Sequence, residues 1–282
     1  YMLGGTYAST LGYVVAPDGS RKIGSKIGSF NGKFGYDLGN ITLRAVTRYS
    51  YSDADMNSQD FVVTGNAIDA GGSTTNSMKS ALIGATYKND NGNWTTDLSA
   101  QMVNAQRRAF DDDGEESYGA TGKRRKVSLV STVKLGDDNM SHSITGAVDY
   151  KDEIYRGTSS YFADDNPFRS NDNMGFVGQY QLSIANRFGF GASLRHDINE
   201  RFRDATTWRV QSSYRFDTAT RLHAAVGTAM KAPIFTEIFG YDPSGGFIGN
   251  PNIKPEYSTG WEAGIEQSFW GDKARIDITY FN

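Results

Sequence analysis

The chain has 282 residues, 22% of them charged, with a formal net charge of -3 and no cysteine. This near-neutral charge balance argues against a nucleic-acid partner, because binding a phosphate backbone requires a concentrated basic surface. The absence of cysteine excludes disulfides, thiolate metal sites and thiol catalysis. The sequence has no apolar run of about 18 residues that could form a membrane helix, but a membrane-spanning β-strand needs only one apolar face.

Apolar and polar side chains alternate along most of the sequence with the period of two that is typical of β-strands. In the segment 41–51, the odd positions are mainly apolar or aromatic and the even positions are mainly Thr, Arg and Ser. The pattern predicts about thirteen strands, most of about 10–14 residues, which is longer than usual in globular proteins. The predicted strands are 2–10, 23–36, 40–53, 77–88, 93–107, 124–136, 140–154, 175–187, 190–200, 205–216, 220–231, 257–270 and 273–282.

The connections between these strands alternate in length. Short turns at 37–39, 89–92, 137–139, 188–189, 217–219 and 271–272 are rich in Asp, Asn and Gly, as tight hairpins require. Between them lie the mostly long segments 11–22, 54–76, 108–123, 155–174, 201–204 and 232–256. This rhythm predicts an all-β fold, an antiparallel up-and-down transmembrane β-barrel with tight periplasmic turns and large extracellular loops.

The aromatic residues form two groups, as expected for the girdles at the two membrane interfaces. One group lies beside the short turns and comprises Tyr36, Trp94, Phe188, Phe216 and Phe269. The other lies near the opposite strand ends and comprises Tyr49, Tyr51, Tyr150 and Tyr155. A barrel requires Ile41, Val148 and Ile278 to face lipid. The alternative is a soluble all-β adhesin or carbohydrate-binding protein, in which the same aromatics pack across strands.

Three motifs follow one another near the end of the chain. They are Lys231-Ala232-Pro233, then Asn250-Pro251-Asn252-Ile253-Lys254-Pro255-Glu256, then Trp261-Glu262-Ala263-Gly264. Pro233 removes a hydrogen-bond donor from the strand ladder, so strand pairing should weaken there. The carboxylate of Glu256 is expected to accept backbone N–H groups or to meet Lys231 or Lys254.

These motifs resemble those of the TonB-dependent outer-membrane receptors, although Ile253 stands where the family usually has Leu. The resemblance implies a Gram-negative outer-membrane location and a 22-strand barrel that contains an N-terminal plug. It also implies a TonB-contacting segment before the plug and a ligand such as an iron–siderophore complex or a cobalamin. On this view, residues 1–282 are a partial TonB-dependent receptor β-barrel domain from which the plug and the C-terminal strands are absent.

The best ligand candidates are loop aromatics with nearby arginines, because an anionic chelate suits guanidinium charge combined with aromatic faces. One loop provides Arg156, Tyr161, Phe162, Phe168 and Arg169, and another provides Phe235, Phe239, Tyr241 and Phe247. The basic run 123–126 at the extracellular start of a strand could contact phosphates of lipopolysaccharide. The expected partners are therefore a metal chelate or cobalamin-like ligand, TonB through a missing N-terminal segment, and outer-membrane lipid with lipopolysaccharide.

Other chemistry has weak support. The three histidines lie on different predicted strands, so no metal site and no resident cofactor are expected. Acidic clusters at 53–55, 111–116 and 164–165 leave open a loop Ca²⁺, without the spacing of an EF-hand. No nucleophile–base pair emerges, so an enzyme is not expected. The main alternative to a receptor is a passive porin-like channel.

Overall fold

The computed structural model of the chain describes residues 1–60, 63–159, 167–242 and 246–282. The long strands are β1 Met2–Val14, β2 Lys22–Leu38, β3 Ile41–Asp55, β4 Ser73–Lys88, β5 Trp94–Phe110, β6 Glu116–Gly136, β7 Met140–Ser159, β8 Arg169–Ile184, β9 Phe188–Asn199, β10 Ala205–Arg215, β11 Thr220–Lys231, β14 Glu256–Phe269 and β15 Ala274–Phe281. Between β11 and β14 lie a short helix, α1 Phe235–Phe239, and a two-residue hairpin, β12 Tyr241–Asp242 with β13 Phe247–Ile248.

The thirteen long strands form one antiparallel sheet in which each strand pairs with its neighbours in sequence. The order runs from β1 through β11 to β14 and β15, without a crossover. The predicted up-and-down arrangement and the number of strands are therefore confirmed. Within the described residues, no helix is both long and apolar enough to cross a membrane.

One predicted turn was misplaced. The turn expected at 188–189 lies instead between the end of β8 at Ile184 and the start of β9 at Phe188. Ala185 and Asn186 adopt left-handed backbone conformations, with φ of 51° and 55°. Two successive positive φ values suit a tight hairpin. Asn tolerates this conformation readily, but Ala gives no turn signal in the sequence.

The strands also extend further at the long-loop rim than predicted. β6 begins at Glu116 rather than at 124, and β7 continues to Ser159 rather than ending at 154. The pairing of these two strands stays in register from Gly136↔Ser141 up to Tyr118↔Ser159. Small residues and threonines dominate this extension, and they give little hydrophobic signal although they pair well.

The two faces of the sheet differ as a barrel requires. Ile41, Val148 and Ile278 are 40%, 36% and 67% exposed on the face predicted to meet lipid. Asp149, adjacent to Val148 and on the opposite face, is only 7% exposed because neighbouring polar groups cover it. We call the first face the lipid face and the second the lumenal face.

The described residues contain no apolar core that would belong to a two-layer sandwich. Their buried hydrophobic residues are Ala16, Ala205, Ala225 and Ile238. Large apolar side chains instead lie exposed on the lipid face. At the short-turn rim aromatic rings contact each other, Tyr87 with Trp94 at 5.5 Å and Tyr214 with Phe216 at 4.8 Å. The soluble adhesin alternative is inconsistent with this arrangement, because it would bury one sheet face.

At the long-loop rim, Arg21 and Asp69 join two extracellular connections. The Asp69 carboxylate accepts hydrogen bonds from the backbone N–H groups of Ser20 at 2.7 Å and Arg21 at 2.9 Å. The Arg21 guanidinium in turn donates to the carbonyl oxygens of Met56 at 2.7 Å and Gly72 at 2.8 Å. The backbone N–H groups of Ser20 and Arg21 hold the pKa of Asp69 below its ordinary value.

The depressed pKa of Asp69 makes the loop contact sensitive to acid. A carboxylate whose pKa is lower in the folded state contributes its stability above its unfolded pKa and loses it as pH falls through the folded pKa. We expect amide exchange of residues 15–22 to accelerate below about pH 4, where aspartate begins to protonate. Asp69→Asn should show the faster exchange already at neutral pH.

Hydrogen exchange read by mass spectrometry measures this, with protection compared at matched intrinsic exchange rates. Asp18→Asn, in the same loop, is the control and should behave as the unmodified protein does. Unchanged protection in Asp69→Asn would show that Asp69 does not hold the loops together.

Candidate functional site

A charged network covers the lumenal face at the centre of the sheet. Arg195 on β9 contacts two carboxylates, with Nη1 to Asp149 Oδ2 at 2.9 Å and Nη2 to Asp197 Oδ1 at 2.6 Å. Lys126 on β6 lies 3.5 Å from Asp149. A Cβ atom at position 175 would collide with the Arg195 guanidinium, so Gly175 leaves the space in which that group lies flat against the wall.

A cavity of about 570 Å³ separates this wall from the segment that follows β11. Its polar side includes the network residues and Asn171. Asn171 is 9% exposed, and its side-chain oxygen has no hydrogen-bond donor among the described residues. Its apolar side is formed by Pro233, Phe235 and Ile238, among others. The cavity is thus polar towards the strands and apolar towards the loop.

The segment after β11 folds inward as helix α1. Pro233 cannot extend the strand ladder, and the next residue, Ile234, donates its N–H to the Glu237 carboxylate at 2.9 Å. At the other end of the helix, Asn250 donates its N–H to the carbonyl oxygen of Glu237 at 2.8 Å. Ile238, on the buried side of the helix, is 7% exposed. The second motif is thus hydrogen-bonded to helix α1, which directly follows the first motif.

Aromatic and guanidinium groups meet where α1 touches the wall, and we call this group the lumenal cluster: Tyr155, Arg169, Arg201, Phe235 and Phe239. Tyr155 stacks on Phe235 with ring centroids 5.6 Å apart and an interplanar angle of 16°. Phe239 contacts two guanidinium groups, with Arg169 at 4.7 Å and Arg201 at 5.4 Å from its ring centroid. Such an arrangement offers both flat apolar surfaces and fixed positive charge.

The first and second motifs are joined by an ion pair. Lys231 Nζ lies 2.9 Å from Glu256 Oε1 and 3.7 Å from a carboxylate oxygen of Glu237. Of the two lysines expected near Glu256, the structure therefore pairs it with Lys231, and Lys254 is exposed. Pro255 is buried beside this pair.

The remaining motif residues serve the sheet and its loop. Ala232 lines the cavity, and Asn250 accepts the N–H of Asn252 at 2.9 Å through its side chain, bending the chain around the exposed Pro251. In the third motif, Trp261 lies on the lipid face with its ring centroid 5.4 Å from that of Tyr280.

Two other residues of the third motif, Glu262 and Gly264, face the lumen. Glu262 accepts a hydrogen bond from Arg209 at 2.7 Å. A Cβ atom at Gly264 would lie 2.5 Å from Nε2 of His223, so only glycine leaves room for that imidazole.

The predicted ligand residues do not form one group. Strand register places Arg156 on the lipid face, where its guanidinium lies 5.4 Å from the Phe168 ring, whereas Arg169 belongs to the lumenal cluster. The two arginines therefore lie on opposite faces of the sheet, because β7 keeps its alternation through Arg156, and a role for either in ligand binding stays a prediction. Tyr155, expected in an interfacial girdle, also faces the lumen. Tyr161 and Phe162 lie outside the described residues.

Phe239 and Phe247 flank the bend at the end of α1. Phe247 pairs with Asp242 in the small hairpin, and its ring lies close to Gly240. The backbone of Tyr241 pairs with Ile248, and its side chain lies outside what the structure describes. A role for these residues in ligand binding stays a prediction.

Sequence reasoning missed Arg201 and the Arg195 network. Arg195 and Asp149 are 46 residues apart, and no local motif connects them. The usable signal was the run of charged residues at alternate positions, Asp149, Lys151 and Glu153, which marks a strand face that cannot lie in lipid.

The acidic loop cluster has other partners. The Asp111 carboxylate accepts the backbone N–H groups of Asp113 at 3.1 Å and Glu115 at 2.8 Å, and Asp112 accepts that of Gly71 at 2.6 Å. In the part of the chain that the structure describes, no three acidic or histidine side chains converge as metal ligands would. Loop Ca²⁺ binding stays a prediction, and residues 164–165 lie outside the described ranges.

Comparison with known proteins agrees with this geometry. The family described as TonB dependent receptor-like, beta-barrel, matches residues 7–282. The chain belongs to this family. Its proteins are receptors and transporters of the outer membrane of Gram-negative bacteria. The chain is accordingly part of an outer-membrane β-barrel.

Individual relatives are distant. The vitamin B12 transporter BtuB of Photobacterium profundum is 29% identical over 185 residues, which are 64% of this chain and 27% of BtuB. The siderophore receptor PirA of Acinetobacter baumannii superposes with a TM-score of 0.77 at 13% identity, over 99% of this chain and 46% of PirA. The ferric enterobactin receptor PfeA of Pseudomonas aeruginosa, in complex with enterobactin, gives a TM-score of 0.74 at 16% identity, over 96% and 44%. The chain thus spans less than half of each.

The Arg195 network predicts a stability defect. Arg195→Met leaves Asp149 and Asp197 without their shared partner, and breaking a buried ion pair on one side costs about 3 kcal/mol. The loss of stability is measured by unfolding the full-length receptor with urea in detergent. The folded fraction is read from the change in gel mobility that heating causes. Arg187→Met is the control, because its ion pair with Asp217 is exposed at a periplasmic turn. Equal midpoints for the two variants would contradict the assignment.

Proposed function

We propose that the protein imports a metal chelate across the outer membrane, with an iron–siderophore complex favoured and a cobalamin as the second ligand class. The lumenal cluster carries this proposal, because it presents three aromatic rings and two guanidinium groups above a polar wall at the extracellular end of the barrel. The names of the distant relatives, which are receptors for siderophores and a transporter for vitamin B12, support the same ligand classes.

The proposal includes energy supplied through TonB from the inner membrane and a non-enzymatic role for the protein. It also includes contact with outer-membrane lipid and lipopolysaccharide around the barrel. A catecholate or hydroxamate chelate carries negative charge and flat faces, which match guanidinium groups and aromatic rings. The charged wall below offers paired polar groups to a ligand that leaves the cluster.

Growth of a receptor-deletion strain on single iron chelates, and on cobalamin in a cobalamin-dependent background, identifies the ligand. The strain is complemented with the full-length receptor. Uptake should disappear when TonB is deleted, because the family depends on that energy source. Uptake that persists without TonB would instead indicate a passive channel, and growth independent of the receptor on every chelate and on cobalamin would contradict the proposal.

The cluster itself is tested by Phe239→Ala. This change removes a flat ring proposed to face the ligand, and it also removes the contact that holds the two guanidinium groups. We expect affinity for the identified ligand to fall about tenfold, which corresponds to the loss of one aromatic contact of about 1–2 kcal/mol. Phe34→Ala is the matched control, because that ring lies exposed on the lipid face. Ligand titration on the purified receptor measures both. Equal affinities would exclude the lumenal cluster from the binding site.

A further inference from the structure

A basic cluster lies on the lipid face, just above the apolar part of β6 and β7. On β6 the lipid-facing positions from Leu135 to Val127 are mainly apolar, and the next two lipid-facing positions are Arg125 and Lys123. The stretch 127–135 is close to the roughly 9–11 residues that cross a bilayer at a tilt. The change from Val127 to Arg125 therefore marks the upper boundary of the hydrocarbon.

The neighbouring strand shows the same boundary. Val148 and Tyr150 on β7 are 36% and 45% exposed on the lipid face, and Tyr150 pairs with Val127 of β6. Interfacial tyrosines lie at the level of the lipid headgroups. Arg156 lies three lipid-facing positions above Tyr150, on the same face, so its charge is outside the hydrocarbon and within reach of headgroups.

Two of these cations lie close to the ring of Phe168. The Lys123 ammonium and the Arg156 guanidinium each lie 5.4 Å from the centre of the Phe168 ring, which is 51% exposed. Two like charges on one ring repel each other unless an anion lies between them. Among the described residues, neither has a carboxylate within ion-pair distance, whereas Arg125 lies 3.7 Å from Asp152.

The run 123–126 is thus divided between two environments. Arg124 and Lys126 face the lumen and pair with Glu153 and Asp149. Lys123 and Arg125 face outward, at the extracellular rim. The lipid of the outer leaflet in a Gram-negative outer membrane is a phosphorylated glycolipid, whose phosphates lie at this height. Arg and Lys are the side chains that bind phosphate best.

We propose that Lys123, Arg125 and Arg156, arranged around Phe168, bind the phosphate groups of lipopolysaccharide. The lipid's acyl chains would then lie along the apolar surface of β6 and β7 below. The site is on the opposite face of the wall from the lumenal cluster, so it is separate from ligand uptake.

The test uses the full-length receptor in detergent, stripped of lipid, and native mass spectrometry with added lipid A as the probe. A juxtamembrane Lys or Arg contributes about 1 kcal/mol to binding an anionic membrane surface, which corresponds to about a fivefold change in affinity. We expect Lys123→Gln with Arg156→Gln to bind lipid A about twenty-five-fold more weakly, since two such contributions multiply. Arg48→Gln, which removes a lumen-facing charge, should bind as the unmodified receptor does.

Two further measurements separate phosphate recognition from other causes. The charge-preserving variant Lys123→Arg with Arg156→Lys should retain affinity within about twofold, since point charges drive this contact. Lipid A lacking its phosphates should bind the unmodified receptor and the double glutamine variant equally weakly. Unchanged affinity in the double glutamine variant, or equal binding of phosphorylated and dephosphorylated lipid A by the unmodified receptor, would overturn the proposal. Neither readout depends on which ligand the receptor imports.

Discussion

The antiparallel register of the long strands, which shifts only near the long-loop rim among the described residues, separates lipid from lumen, and the other features of the molecule depend on it. Register shifts occur between Thr10 and Tyr13 and between Ala109 and Phe110, both at the long-loop rim. Because side chains alternate with a period of two, a slip by one residue would exchange the two faces of a strand. For β9, a slip would turn Arg195 into the bilayer, at a cost of about 2–4 kcal/mol near the midplane.

Glycines on the lumenal face leave space for long basic side chains on neighbouring strands. Gly175 makes room for Arg195, and the Arg44 guanidinium lies within 2.8 Å of where a Cβ atom of Gly84 would be. Arg44 reaches across this glycine to Asp97, with Nη2 to Oδ1 at 2.8 Å. The guanidinium groups therefore lie along the strands, where they neutralise carboxylates. The charged side chains of the lumenal face thus stay close to the backbone of the sheet.

Most of the architecture could be predicted from the sequence, because period-two alternation and turn residues are local signals. Helix α1 could not, since five residues are too few to show helical periodicity. The separation of Arg156 from Arg169 could have been found by continuing the alternation of β7 upward, but the sequence was interpreted as a loop there. The contacts of Phe239 with Arg169 and Arg201 join helix α1 to the start of β8 and to the connection after β9, and no pattern within one segment encodes them.

The Lys231–Glu256 ion pair bridges the end of β11 and the start of β14, whose backbones also pair at this position. The segment 232–255 leaves the sheet after Lys231 and returns to it at Glu256, where the two strands are paired. The pairing of Lys231 with Glu256 therefore holds the two strands together at the point where the segment between them departs and returns.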